Sequence, residues 1–119
     1  MPAKLYPNSC VKRIVAGVPS GHLHMRLAIE LCDQTIVLHE AAVAAIVRAY
    51  ASIALHPQRR AIELRVRKLE KNERKPLFAE YQLLESESPK HAALHELEKI
   101  LRDSEVVTCG CAEPADAER

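Results

Sequence analysis

The segment His22–Cys32 constrains the fold more than any other part of this sequence. Every odd-numbered position, from Leu23 to Leu31, is apolar, and most even-numbered positions are polar. A period of two is typical of a β-strand that turns one face to a core and the other to solvent. We therefore expect a strand over 22–32 whose odd-numbered side chains face the core.

The segments on either side extend this strand into an antiparallel arrangement. Residues 11–18 predict a first strand, which Pro19-Ser20-Gly21 ends with a strong turn signal. Residues 35–38 predict a return strand after a two-residue turn at Asp33-Gln34, although glutamine is not favoured at the second position of such a turn.

The period becomes helical after Glu40. Over 41–55 the large apolar side chains recur at helical spacing and predict one core-facing stripe, formed by Val43, Ile46, Val47, Tyr50 and Ile53. Pro57 ends this helix. Arg48 is its only charged residue, which is too little charge for an ordinary surface helix. We therefore expect the helix to be covered on both sides, by the second helix or by another copy of the chain.

The second half of the chain predicts a hairpin followed by a helix. Residues 61–70 and 77–85 alternate in polarity, with a polar turn between them. Ser88-Pro89 is a typical helix start, and the second helix is expected to end near Arg102. Its predicted buried side consists of Ala93, Leu94, Leu97, Ile100 and Leu101.

These elements predict an α+β fold in the order β-β-β-α-β-β-α. Because strands outnumber helices and mostly follow one another directly, we expect a mostly antiparallel sheet of about five strands with two helices packed on one face. Residues 1–10 are interpreted as an irregular N-terminal arm, 11–107 as a single domain and 108–119 as a flexible C-terminal tail.

Composition excludes several classes of protein. The net charge of +1 gives no overall attraction to nucleic acid or anionic lipid. No apolar run approaches the roughly 20 residues of a membrane span, and the N-terminal residues do not resemble a secretory signal. We expect a soluble, cytoplasmic protein with its four cysteines reduced.

Cys109-Gly110-Cys111 is the strongest candidate site. Two thiols with one flexible residue between them can chelate a soft metal or act as a reactive dithiol. His22 and His24 lie two apart on a predicted strand and project from one face. With Cys109 and Cys111 they form a candidate ligand set for zinc or another soft transition metal. Against this, structural zinc sites usually have two to four residues between paired cysteines.

A second candidate site is basic. Positive residues are concentrated between positions 59 and 75, namely Arg59, Arg60, Arg65, Arg67, Lys68, Lys71, Arg74 and Lys75. Such a stripe is typical of nucleic-acid binding. The alternative is a salt-bridged surface, because glutamates lie among these residues and Glu80 can pair with Arg65 or Arg67 across the hairpin.

The chain contains no phosphate-binding glycine loop and no nucleophile elbow, which favours a protein that is not an enzyme. The candidate Cys32–His39 pair is strained, because the tight turn would place His39 opposite Ala28. Three functions therefore remain. The first is a non-enzymatic binding or assembly domain that self-associates through helix 41–55. The second is a metal-binding or thiol-redox protein that uses the Cys109–Cys111 segment, and the third, less favoured, is nucleic-acid binding through 59–75.

Overall fold

The computed structural model describes residues 3–58, 61–73 and 79–109, and within them the fold is α+β. It contains two α-helices and seven strands in three separate sheets. The strands are β1 (Lys4–Leu5), β2 (Val11–Gly17), β3 (Arg26–Leu31), β4 (Thr35–His39), β5 (Leu64–Lys68), β6 (Tyr81–Glu85) and β7 (Glu105–Val106); the helices are α1 (Glu40–Ala54) and α2 (Lys90–Arg102).

The expected single sheet of about five strands is wrong. The strands instead form the antiparallel sheet β2–β3–β4, the hairpin β5–β6 and the parallel pair β1–β7. Alternating polarity specifies which face of each strand is apolar, but it does not specify which strand edges pair. The chain divides into two compact units, one formed by 1–39 and 97–119 and the other by 40–96.

The three-stranded sheet of the first unit confirms the central alternating strand from Arg26 onward. Ile29 of β3 lies between Ile14 of β2 and Ile36 of β4, so apolar side chains line up across one face. Leu23 does not belong to this face, because the strand begins later than expected, and the side chain is 73% exposed.

The turn between β3 and β4 lies one residue earlier than the sequence suggested. The Leu31 N–H donates to the Gln34 carbonyl (2.8 Å), and His39 lies opposite Arg26 rather than Ala28. Leu31 and Gln34 therefore flank a turn at Cys32-Asp33 rather than at Asp33-Gln34. Moving the centre of the turn by one residue shifts the register by two positions.

In the second unit α1 packs against β6, but with the opposite face from the one expected. Ala45 is 3% exposed, whereas Ile46, Val47 and Tyr50 are 56%, 60% and 72% exposed. The prediction of a buried stripe of large side chains was therefore wrong. The small face allows close approach to β6, where Arg48 Nη2 donates to the Leu83 carbonyl (2.6 Å).

The expected hairpin of the second unit is present, but the buried side that the sequence predicted for α2 is not observed. Leu64 pairs with Glu85 and Lys68 with Tyr81, which confirms antiparallel β5 and β6. No residue of α2 is fully buried, and the expected core residues Leu97, Ile100 and Leu101 are exposed.

Neither described helix has the length and apolarity that crossing a bilayer would require.

Candidate functional site

Two cysteines face each other at one end of the β2–β3 pair. Cys10 directly precedes β2 and Cys32 directly follows β3. Because Val11 pairs with Leu31, the next position on each strand also lies opposite its partner. The Cys32 N–H donates to the Cys10 carbonyl (3.0 Å), which fixes this approach.

A third cysteine reaches the same place from the C-terminal part of the chain. β7 lies parallel to β1, where the Glu105 N–H donates to the Ala3 carbonyl (2.8 Å) and the Val107 N–H to the Leu5 carbonyl (2.9 Å). This short pairing carries Cys109 to the beginning of β2.

We call Cys10, Cys32 and Cys109 the thiol cluster. Their three Sγ atoms lie within 4.8 Å of one another. Cys10 and Cys109 form a disulfide with a Cα–Cα distance of 6.0 Å, while Cys32 is a free thiol. The expectation that every cysteine is reduced is therefore wrong for Cys10 and Cys109. Three cysteines this close together could hold a metal ion once the disulfide is reduced.

The members of the cluster differ in their access to solvent. Cys10 is 1% exposed, whereas Cys32 and Cys109 are half-buried. Cys32 and Cys109 also line a surface depression of about 620 Å³. Its rim includes Lys12, Glu30 and Asp33, so charges of both signs border these two sulfurs. A small molecule or a metal ion can therefore reach the cluster from one side.

Polar contacts of the N-terminal arm hold the loop that follows Cys32. The Tyr6 hydroxyl donates to Asp33 Oδ1 (3.0 Å) and accepts from Gln34 Nε2 (2.8 Å). Lys4 Nζ lies 3.5 Å from Asp33 Oδ2. These contacts join the predicted irregular arm to the β3–β4 turn and position both Cys10 and Cys32.

The predicted ligand set overlaps the thiol cluster at Cys109 only. Among the described residues, the cluster is the one group of three or more metal-binding side chains, and it does not include His22 or His24. These histidines precede β3, whereas Cys32 follows it, so roughly 20 Å of strand separates the two ends. Cys111 lies outside the described residues, so its predicted role remains a prediction.

Sequence reasoning missed Cys10 and Cys32 as site residues, although the sequence does contain a signal that these two cysteines lie near each other. Cys10 precedes the first strand of a predicted hairpin and Cys32 ends the second, so hairpin formation brings these positions near each other. The register shift between Val11 and Arg13 then places them side by side. The approach of Cys109 has no such signal, because it depends on the two-residue pairing of β1 with β7.

The described part of the basic segment carries ion pairs. Arg65 Nε lies 3.2 Å from Glu63, and Arg67 Nη1 lies 3.2 Å from Glu73. Glu80 pairs with Lys68 (3.4 Å) rather than with the arginines expected, because Lys68 lies opposite Tyr81 at that end of the ladder. Of the predicted stripe, Arg59, Arg60, Arg74 and Lys75 lie outside the described residues.

Hydrogen bonds to these glutamates favour their charged form. The Ser86 hydroxyl and then Arg65 hold the pKa of Glu63 below its usual value. The Glu70 N–H and then Arg67 do the same for the pKa of Glu73. This hairpin is therefore a salt-bridged surface in which basic side chains already have acidic neighbours.

Comparison with known proteins gives no family to which the chain can be assigned. No protein-family model, no curated protein and no solved structure matches this chain.

Proposed function

We propose that this chain, when its thiol cluster is reduced, binds one soft transition-metal ion, with zinc as the principal candidate. The observation that carries the proposal is the convergence of Cys10, Cys32 and Cys109 from three separate parts of the chain, with their Sγ atoms within 4.8 Å of one another. Three of the four cysteines in the chain therefore lie together.

The distances suit zinc after a small movement. Zinc–sulfur bonds of about 2.3 Å in tetrahedral geometry separate the sulfurs by about 3.8 Å. The sulfur of Cys32 therefore moves inward by at most about 1 Å. The Cys10 and Cys109 sulfurs move apart once their bond is gone.

Binding requires a change of oxidation state that supplies the ligands. A low-molecular-weight dithiol provides two electrons and two protons, breaks the Cys10–Cys109 bond and is itself oxidised to a disulfide. The metal then displaces the protons of three thiols, which bind as thiolates. A fourth ligand enters from the depression as water, or comes from Cys111, which the chain places within about 7 Å of Cys109.

Cobalt provides the direct test, because its absorption spectrum reports both thiolate ligation and tetrahedral geometry. Reduced, metal-free protein is titrated with Co²⁺ under anaerobic conditions, and zinc is then added to displace the cobalt. We expect one ion per chain and sulfur-to-cobalt charge-transfer bands. Serine at position 10, 32 or 109 should weaken binding by at least about tenfold.

Two matched variants sharpen this experiment. Alanine at both His22 and His24 should leave the spectrum and the affinity unchanged, because neither side chain belongs to the cluster. Cys111→Ser separates a fourth thiolate from a water ligand through the intensity of the charge-transfer bands. Reduced protein that gives no such bands, or serine variants that bind as well as the parent, would reject the proposal.

A second candidate function is self-association through α1, supported by the exposure of its large apolar face. Ile46, Val47 and Tyr50 lie on one side of the helix and are more than half exposed. No acidic or basic side chain lies between Ala49 and Leu55, and Arg48 already donates to the Leu83 carbonyl. A second copy of the same face would cover this surface without burying a charge, and a two-fold interface pairs one surface patch with its own copy.

Sedimentation equilibrium at several concentrations tests this second proposal. We expect a concentration-dependent dimer for the parent chain and a monomer for Val47→Glu, which puts a charge in the centre of the face. His91→Glu places the same charge on an exposed position of α2 and is expected to leave the dimer intact. A parent chain that stays monomeric at every concentration would contradict self-association.

A further inference from the structure

The thiol cluster contains a disulfide with a free thiol directly beside it. Cys32 Sγ lies within 4.8 Å of both sulfurs of the Cys10–Cys109 bond. We propose that the oxidised cluster undergoes intramolecular thiol–disulfide exchange, in which Cys32 replaces Cys109 as the partner of Cys10. This inference concerns the oxidised chain and does not rest on metal binding by the reduced one.

The step is balanced without any external oxidant or reductant. Cys32 loses its proton to solvent, and the resulting thiolate attacks Cys10 Sγ. A Cys10–Cys32 bond forms as the Cys10–Cys109 bond breaks, and Cys109 leaves with the electron pair as a thiolate. It then takes up a proton from solvent, so the number of disulfides and thiols is unchanged.

Burial determines which of the two bonded sulfurs is released. Attack on Cys109 would leave a thiolate on Cys10, which is 1% exposed, and a buried charge without solvation is costly. Attack on Cys10 instead releases Cys109, which lines the open depression where water can solvate the leaving group. The exchange therefore forms a Cys10–Cys32 bond rather than a Cys32–Cys109 bond.

The product is compatible with the backbone that the chain already has. Cys10 and Cys32 flank the Val11–Leu31 pair, and the Cys32 N–H donates to the Cys10 carbonyl (3.0 Å), so their backbones lie at the spacing of paired strands. Directly opposed residues of antiparallel strands have Cα atoms about 4.5–5.5 Å apart. Disulfides span Cα distances of about 4.4–6.8 Å, so the new bond needs no strand rearrangement.

The consequence of exchange falls on the C-terminal segment. In the Cys10–Cys109 form this segment is covalently joined to the start of β2. After exchange it keeps the β1–β7 pairing, which consists of two residues on each strand. The thiol of Cys109 then becomes available two residues before Cys111. Exchange therefore frees the Cys109 thiol and removes the covalent attachment of this segment to the N-terminal part of the chain.

Trypsin separates the relevant cysteines cleanly. Cleavage after lysine and arginine puts Cys10 in peptide 5–12, Cys32 in 27–48, and Cys109 with Cys111 in 103–119. Oxidised, chelator-treated protein is incubated without reductant at several pH values, quenched with acid, and alkylated. Mass spectrometry of the peptides then gives the connectivity, with Cys111→Ser used to remove ambiguity in the last peptide.

We expect the 5–12/27–48 disulfide to grow in as the 5–12/103–119 disulfide declines, with Cys109 becoming alkylated. The rate should rise with pH, because a thiolate rather than a thiol attacks a disulfide. It should be independent of protein concentration. Cys32→Ser should keep the original disulfide indefinitely, whereas Cys111→Ser should exchange like the parent.

Three results would overturn the inference. One is a stable 5–12/103–119 disulfide with Cys32 fully alkylated at every pH. Another is a 27–48/103–119 disulfide as the main product, which would mean that Cys109 is the sulfur attacked. The third is a rate that rises with protein concentration, which would make the exchange intermolecular. The cobalt titration of reduced protein is unaffected by any of these results, so the two proposals fail independently.

Discussion

Breaking the Cys10–Cys109 disulfide should destabilise the first unit substantially. The two cysteines are 99 positions apart, and the chain-entropy model gives about 4.7 kcal/mol for a closed loop of about 100 residues. If Glu40–Glu96 stays folded while the first unit unfolds, the flexible part of the loop is roughly 40 residues and the model gives about 4 kcal/mol. We therefore expect a loss of about 4–5 kcal/mol in the free energy of unfolding, as an upper limit.

The cleanest comparison uses one sequence in two oxidation states. In Cys32→Ser/Cys111→Ser, only Cys10 and Cys109 remain, so neither exchange nor alternative pairing interferes. Urea unfolding of the oxidised and reduced forms is followed by circular dichroism. With a slope of about 2 kcal/mol per M, reduction should lower the midpoint by about 2 M.

A loss of less than about 1 kcal/mol in the free energy of unfolding would refute the entropic argument, because even short loops are expected to contribute more. In the four-cysteine parent, the same reduction should give a smaller shift when zinc is present. The metal then links the same segments and replaces part of the lost constraint.

Three further outcomes test other parts of the structure. The pKa of Glu63 is lowered in the fold, so its contribution to stability should be full above pH 4.5 and be lost as the pH falls below that value. Ser86→Ala removes the main cause of this lowered pKa and should flatten the acid dependence of the urea midpoint. Ala45→Leu should overpack the buried surroundings of Ala45 and cost about 1–3 kcal/mol in thermal or urea unfolding. No loss of stability would mean that these surroundings are looser than described. Gly21→Ala should destabilise the chain by about 1 kcal/mol, because the φ angle of Gly21 is +82°. Gly17 has open space around it and no such angle, so Gly17→Ala should be neutral in the same unfolding experiments.

Local patterns predicted the elements well because they depend on neighbouring residues. The alternation from Arg26 to Leu31 and the helical spacing from Glu40 to Ala54 both correspond to elements found in the structure. The same patterns failed for α1 packing, where a stripe of large side chains was assigned to the core. The helix buries Ala45 instead and leaves the large side chains Ile46, Val47 and Tyr50 exposed.

The sequence by itself determined the α+β class, the antiparallel hairpins and the presence of thiols suited to a soft metal or a disulfide. The order of the strands also brings Cys10 near Cys32, because one precedes the first strand of the hairpin and the other follows the second, but their direct approach depends on the register shift between Val11 and Arg13. Only the tertiary structure decided that Cys109 joins them and that His22 and His24 do not. The reason is that β1 and β7 pair across almost the whole chain through two residues each, and neither periodicity nor turn chemistry specifies a contact so short and so distant in sequence.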